Sequence, residues 1–141
     1  MNSVAVKYLV VKSSSIPKAG KGLFTKTFIA KGEIIAEYKG KVTTWEGADH
    51  ANGRNRYLYY INKNHVIDAN NRRTALARYA NDGNGYRRLS GVFNNSTYII
   101  KNRKVFIKAI KNIPPGSEIL VSYGKEYWNT LRKNGELRTQ V

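Results

Sequence analysis

Cysteine is absent from all 141 residues, which excludes disulfide frameworks, thiolate zinc clusters and a cysteine nucleophile together. Histidine is scarce as well: His50 and His65 are the only two, too few for much of a metal site, so no metal is expected. Long apolar runs are missing. Lys7 and Lys12 interrupt the first fifteen residues, which read as neither a signal peptide nor a membrane span, and the expectation is a cytoplasmic protein without a membrane partner. Acidic residues are few, nine Asp plus Glu against 25 Lys plus Arg, for a net charge of +16. These cations run from Lys7 to Arg138 instead of gathering in one arm or helix. Such a surface attracts polyanions at long range, and its diffuseness points less to nucleic acid than to solubility or an anionic cosubstrate.

What is present is ordinary globular material. Hydrophobic residues make up 41% and charged residues 24%, enough for one packed core in a chain of single-domain length. Residues 4–12 (VAVKYLVVK) are rich in β-branched and aromatic side chains and stop at three serines, which predicts a strand. Residues 26–30 and 33–42, parted by Lys31-Gly32, read as a hairpin. Residues 44–56 are polar and read as a surface excursion. Residues 57–61 (YLYYI) and 65–69 (HVIDA) are two further strands about a short polar turn. Residues 72–80, capped by Asn70 or Asn71, carry Ala75, Leu76 and Tyr79 at helical spacing. A glycine-rich loop over 82–92 follows. Residues 98–101 and 104–109 flank Asn102-Arg103 as another hairpin, a Pro-Pro-Gly turn feeds a strand at 118–122 (EILVS), and 126–133 read as a terminal helix. The sum is mainly β, many short strands with one or two short helices.

Three groups of residues could carry chemistry. Gly20-Lys21-Gly22 lets backbone approach a ligand closely, or merely permits a turn. Tyrosines outnumber phenylalanines ten to four, and a buried tyrosine needs a partner for its hydroxyl, so a tyrosine-rich core suggests that the hydroxyls are used. Tyr123, at a strand end before Gly124, is poorly explained by packing alone. The run Arg78-Tyr79-Ala80-Asn81-Asp82 closes an apolar helical pattern and opens a glycine-rich loop, as a capped helix end would.

In order and spacing, Gly20-Lys21-Gly22-Leu23-Phe24, Gly32-Glu33, Glu37-Tyr38-Lys39-Gly40, Tyr57-Leu58-Tyr59-Tyr60-Ile61, Val66-Ile67-Asp68-Ala69, Ala77-Arg78-Tyr79-Ala80-Asn81, Asn94-Asn95 and residues 113–124 (IPPGSEILVSYG), followed by Tyr127-Trp128, resemble the SET-domain lysine methyltransferases. The likeness covers residues 17–128. It implies a mainly β fold of several small sheets around a knot-like crossing, where the segment near Asn81 meets the one ending at Tyr123. It also implies a core over residues 16–124, an N-terminal strand over 1–15 flanking it, and a helical C-terminal flank over 125–141 closing the cosubstrate site.

The resemblance further implies transfer of a methyl group from S-adenosylmethionine to a lysine of a protein substrate. Lys21, Gly22, Asn81 and Asp82 would meet the cosubstrate, with Tyr127 or Trp128 covering its adenine. Tyr123 and Tyr38 would be the catalytic tyrosines, and Tyr59, Tyr98 and Val121 would line the lysine channel. The chain departs from the family pattern in places. Asn81-Asp82-Gly83 stands where the family usually has Asn-His-Ser, and Asn94 replaces a proline. Val121 stands where relatives often carry an aromatic that limits the number of methyl groups. Two other readings are a basic nucleic-acid-binding module and a SET-like docking domain without catalysis. The charge favours an acidic or nucleic-acid-associated protein as substrate.

Overall fold

The computed structural model describes residues 3–51, 55, 57–70, 75–83 and 91–123. In them the chain forms eight short strands: β1 (Leu9–Ser13), β2 (Lys21–Thr25), β3 (Ile34–Glu37), β4 (Lys41–Thr43), β5 (Leu58–Asn62), β6 (His65–Asp68), β7 (Ser96–Lys101) and β8 (Lys104–Ala109). They build three antiparallel sheets, ordered β1-β2, β3-β8-β7 and β4-β6-β5. Among the described residues, helical structure takes the form of tight 3-10 turns such as Val6–Tyr8 and Leu76–Tyr79. The mainly β expectation holds.

Strand period sets the core. In β8, Val105, Ile107 and Ala109 alternate inward, each no more than 1% exposed, as a one-face-buried strand requires. Leu23, Ile29, Ile35, Ile113, Ile119 and Val121 complete a single buried cluster with them. Two hairpins fall where the sequence puts them. β5 and β6 pair about Asn62-Lys63-Asn64, and β7 and β8 about Asn102 and Arg103, both left-handed at φ 53° and 60°. That is the backbone a two-residue hairpin loop demands.

Three expected elements take a different form, each because of a distant partner. The strand over 4–12 begins only at Leu9: Val4 donates to the carbonyl of Ile34 (2.8 Å), so the chain must turn over Val6–Tyr8 before Leu9 can pair with Thr25. The expected hairpin of 26–30 with 33–42 is not formed, because Ile29 bonds Ile113 in both directions and β3 pairs with β8. Residues 33–42 also split, β3 joining one sheet and β4 another. The split runs through Gly40, where a Cβ would lie 2.3 Å from the carbonyl oxygen of Asp68; only glycine lets the two backbones come so close.

Of the helix expected over 72–80, the described part is the single 3-10 turn, led by Ala75 with no side-chain cap. Residues 71–74, and the terminal helix expected over 126–133, lie outside the described residues. So does most of the glycine-rich loop. The expected strand at 118–122 is an extended segment held by isolated bridges instead, antiparallel from Glu118 to Phe24 and parallel from Leu120 to Asn81 and from Val121 to Ser96.

The left-handed Arg103 supplies a direct test of the β7–β8 turn. Arg103→Gly should raise the unfolding free energy by about 1 kcal/mol, the cost of holding a residue with a Cβ in that region, as read by urea denaturation.

Candidate active site

The expected crossing is formed. Residues 118–123 pass between β2, the segment at Asn81 and the start of β7, and their backbone is bonded on several sides. Ile119 donates to Leu23 (2.7 Å) and Val121 to Asn81 (2.8 Å), while the carbonyl of Leu120 accepts from Asn95 (2.9 Å) and Ser96 (3.1 Å). Asn95 adds a side-chain clamp, its Nδ2 donating to the carbonyl of Glu118 (2.9 Å) and its Oδ1 accepting from Leu120 (3.0 Å).

Tyr123 leaves this crossing half-buried and fixed at both ends. Its hydroxyl donates to the carbonyl of Ala80, and its backbone N–H donates to Oδ2 of Asp82 at 2.8 Å. Asp82 is 5% exposed, and its Oδ1 accepts from Nδ2 of Asn94 at 3.0 Å. Asn94 closes the loop by accepting from the N–H of Gly83 at 2.7 Å. The carboxylate at position 82 thus anchors the backbone of Tyr123, a side-chain task that the sequence reading did not anticipate.

Lys21, Gly22 and Asn81 are also brought together. Nδ2 of Asn81 donates to the carbonyl of Lys21 (3.0 Å) and to Oε2 of Glu118 (3.2 Å). Gly22 faces the same carboxylate so closely that a Cβ would sit 2.3 Å from Oε2. The glycine therefore serves a side-chain approach from within the protein.

The remaining tyrosines form a ring cluster. Tyr38 lies 5.9 Å from Tyr59 and 6.2 Å from Tyr98, and Tyr59 lies 5.0 Å from Tyr98, between ring centroids and with tilted or edge-on planes, the arrangement the ring quadrupoles favour. Tyr38 is buried and its hydroxyl donates to the carbonyl of Tyr57 at 2.8 Å. Arg78 lies over Tyr57 and Tyr79 at 4.4 and 4.8 Å, and its Nη1 donates to the carbonyls of Ala69 and Asn70. Tyr57, Tyr59, Tyr79, Tyr98 and Tyr123 all pack against the one buried core, which includes Val121 at 0% exposure. Tyr127 and Trp128 lie outside the described residues.

Glu118, Arg78, Asn94 and Asn95 are site-building residues that sequence reasoning did not single out for a role. A usable signal existed for Glu118: a lone carboxylate inside an apolar strand pattern is seldom buried unless it is well bonded.

A mainly β domain of three small sheets among the described residues, pinned by a crossing segment whose fixed tyrosine shares one buried core with a cluster of tyrosine rings, is the class these features define. The SET domain model matches residues 20–124, most of the chain, and this chain belongs to the SET-domain family. It is 29% identical to a variant-silencing SET domain-containing protein of Plasmodium falciparum over 93% of its own length, but it spans only 5% of that much longer protein. Among solved structures it is similar to the methyltransferase domain of human PR domain-containing protein 2, at 25% identity and a TM-score of 0.62, covering 85% of this chain and 79% of that one. It is also similar to a Chaetomium thermophilum Polycomb Repressive Complex 2 in an autoinhibited state bound to S-adenosylmethionine, at 25% identity and a TM-score of 0.66, covering 96% of this chain and 17% of that one. Among the described residues no helix is long and apolar enough to cross a membrane.

Burial pushes the phenol of Tyr59 above its ordinary value of 10.0, because the charged phenolate is the form that loses hydration. The folded chain then keeps a proton that the unfolded chain releases. Stability from this group is therefore intact below the unfolded value of 10.0 and is lost as pH climbs above it toward the folded value. Relative to Tyr59→Phe, the wild-type protein should lose unfolding free energy as pH rises above 10.0, read by urea denaturation of both proteins at each pH. A difference that does not change with pH would contradict the burial of this phenol.

Proposed function

We propose that this chain is an S-adenosylmethionine-dependent protein-lysine N-methyltransferase. The observation that carries the proposal is the hydroxyl of Tyr123, committed as a donor to the carbonyl of Ala80 at the crossing. With its proton so placed, the phenol oxygen can act toward any further group only as an acceptor, which is what holding an amine N–H or a polarised methyl C–H requires.

SET-domain methyltransferases use S-adenosylmethionine, and the residues here fit its amino-acid end. Asn81 has committed Nδ2 to Lys21 and Glu118, which leaves Oδ1 to meet an ammonium donor. When bound, the cosubstrate supplies a methyl carbon made electrophilic by its sulfonium.

The protein's own part is to deliver a neutral amine in line with that carbon. A lysine ammonium ordinarily titrates at about 10.4, so it must shed a proton first. Rings of Tyr38, Tyr59 and Tyr98 give the charged form little hydration, which lowers that value and favours the free amine. Fixed rings also hold the nucleophile in a narrow range of directions, the positioning share of the rate gain. Val121, wholly enclosed in the core, would bear on this passage through the neighbours packed around it. Backbone at Asp82, together with Tyr127 or Trp128, is assigned to the adenine.

Tyrosine placement favours this reading over a nucleic-acid-binding module. Such a module would display its rings in an open groove, whereas Tyr38 is buried and Tyr57, Tyr59, Tyr79, Tyr98 and Tyr123 are only partly exposed. The charge speaks to the substrate. Of the carboxylates among the described residues, only Glu46 and Asp49 are exposed, both on the excursion over 44–50. With so little exposed negative charge, an acidic or nucleic-acid-associated protein is the expected substrate, and a strongly basic tail is not.

Purified protein with labelled S-adenosylmethionine should label lysines in total protein extract. Tyr123→Phe should lower kcat on the order of 100-fold while calorimetry finds cosubstrate affinity essentially unchanged. No transfer to any protein, combined with no cosubstrate binding, would overturn the proposal.

A further inference from the structure

Glu118 is 7% exposed and sits at the crossing with no cation against it among the described residues. Its carboxylate is satisfied entirely by neutral donors. Oε1 accepts from the backbone N–H of Ser15 at 2.9 Å and from its hydroxyl at 2.6 Å; Oε2 accepts from the hydroxyl of Ser14 at 2.7 Å and from Nδ2 of Asn81 at 3.2 Å. The serine loop is itself tied back, Ser14 N–H donating to the carbonyl of Gly20 at 2.8 Å. The carboxylate is thus held in one orientation by Asn81 and by two serines more than a hundred positions away in sequence.

An asparagine amide is nearly symmetric in shape, and only its hydrogen-bond partners decide which end carries the donor. At Asn81 both partners are acceptors, the Lys21 carbonyl and Glu118 Oε2. One amide hydrogen serves the Lys21 carbonyl, which itself disfavours a flip. The second hydrogen meets a carboxylate, an acceptor that cannot become a donor while ionised, so a flipped amide would set oxygen against oxygen on this side.

We infer that Glu118 is a positioning residue that fixes the polarity of Asn81, keeping Oδ1 turned toward the cosubstrate site as an acceptor for its α-ammonium group. This rests on the proposed use of S-adenosylmethionine, and it adds a residue, Glu118, that does not itself touch the ligand. Gly22 belongs to the same device, since any larger residue there would push the carboxylate off Asn81.

Glu118→Gln keeps the shape and keeps an oxygen for Ser15, but presents an amide N–H to Asn81. The Asn81 amide then either faces a donor or flips at the cost of its bond to the Lys21 carbonyl; each weakens the hold on Oδ1, and the flipped form aims Nδ2 at the ammonium, replacing an attraction with a repulsion. Two ligands separate this from general damage: S-adenosylmethionine, and methylthioadenosine, which has the same nucleoside but no amino-acid end. Calorimetry on the full chain should show S-adenosylmethionine binding about tenfold weaker in Glu118→Gln, with methylthioadenosine binding unchanged. In an Asn81→Ala background the same substitution should add no further loss, because its route to the ligand is gone. Equal weakening of both ligands, an additive loss in the Asn81→Ala background, or undiminished S-adenosylmethionine binding would each overturn the role given to Glu118. If the wild-type protein binds methylthioadenosine but not S-adenosylmethionine, the role falls while a nucleoside site stands. If it binds neither, the cosubstrate reading itself falls and takes the inference with it.

Discussion

An extended segment that runs through the middle of a domain, outside any regular sheet, must still find a partner for each buried N–H and carbonyl. Everything at this site follows from how residues 118–123 meet that demand. Their partners come from β2, from the stretch at Asn81 and from Asn95 and Ser96, three regions far apart in the chain. Joining the segment therefore means joining those regions, and Tyr123, Asn81 and Lys21 become neighbours as a result of backbone bonding.

Two buried carboxylates finish the arrangement on either side of the crossing. Glu118 gathers Ser14, Ser15 and Asn81, while Asp82 gathers Asn94 and the backbone of Tyr123. Buried carboxylates are costly unless fully bonded, and here the bonding is what ties distant loops to the site. The aspartate has a further meaning within the SET family. By the sequence resemblance it stands where a histidine is usual, and its side chain serves the crossing.

The tyrosine excess finds its explanation in the same terms. Tyr38 and Tyr123 each spend the hydroxyl on a backbone carbonyl, which locks ring orientation in a way phenylalanine could not. Tyr59 and Tyr98 complete the cluster by ring packing, and Arg78 stacks on Tyr57, whose carbonyl takes the Tyr38 hydroxyl. A wall of rings with fixed planes holds its shape better than a pliable apolar pocket would.

By itself, the sequence determined what depends on neighbours in the chain. Alternation marked β8, the polar turns marked the β5–β6 and β7–β8 hairpins, and the order of short motifs marked the family and the pair of segments that cross. Tertiary structure alone decided the rest. Residues 33–42 carry one continuous β pattern, yet two different partners divide them at Gly40; residues 118–122 have strand composition, yet their partners lie in three directions. Likewise nothing local to Ser14, Asn94 or Glu118 reveals which atom each will bond. Propensity and periodicity are short-range properties of a chain, whereas hydrogen-bond satisfaction in a threaded interior is settled only when segments many residues apart are in place.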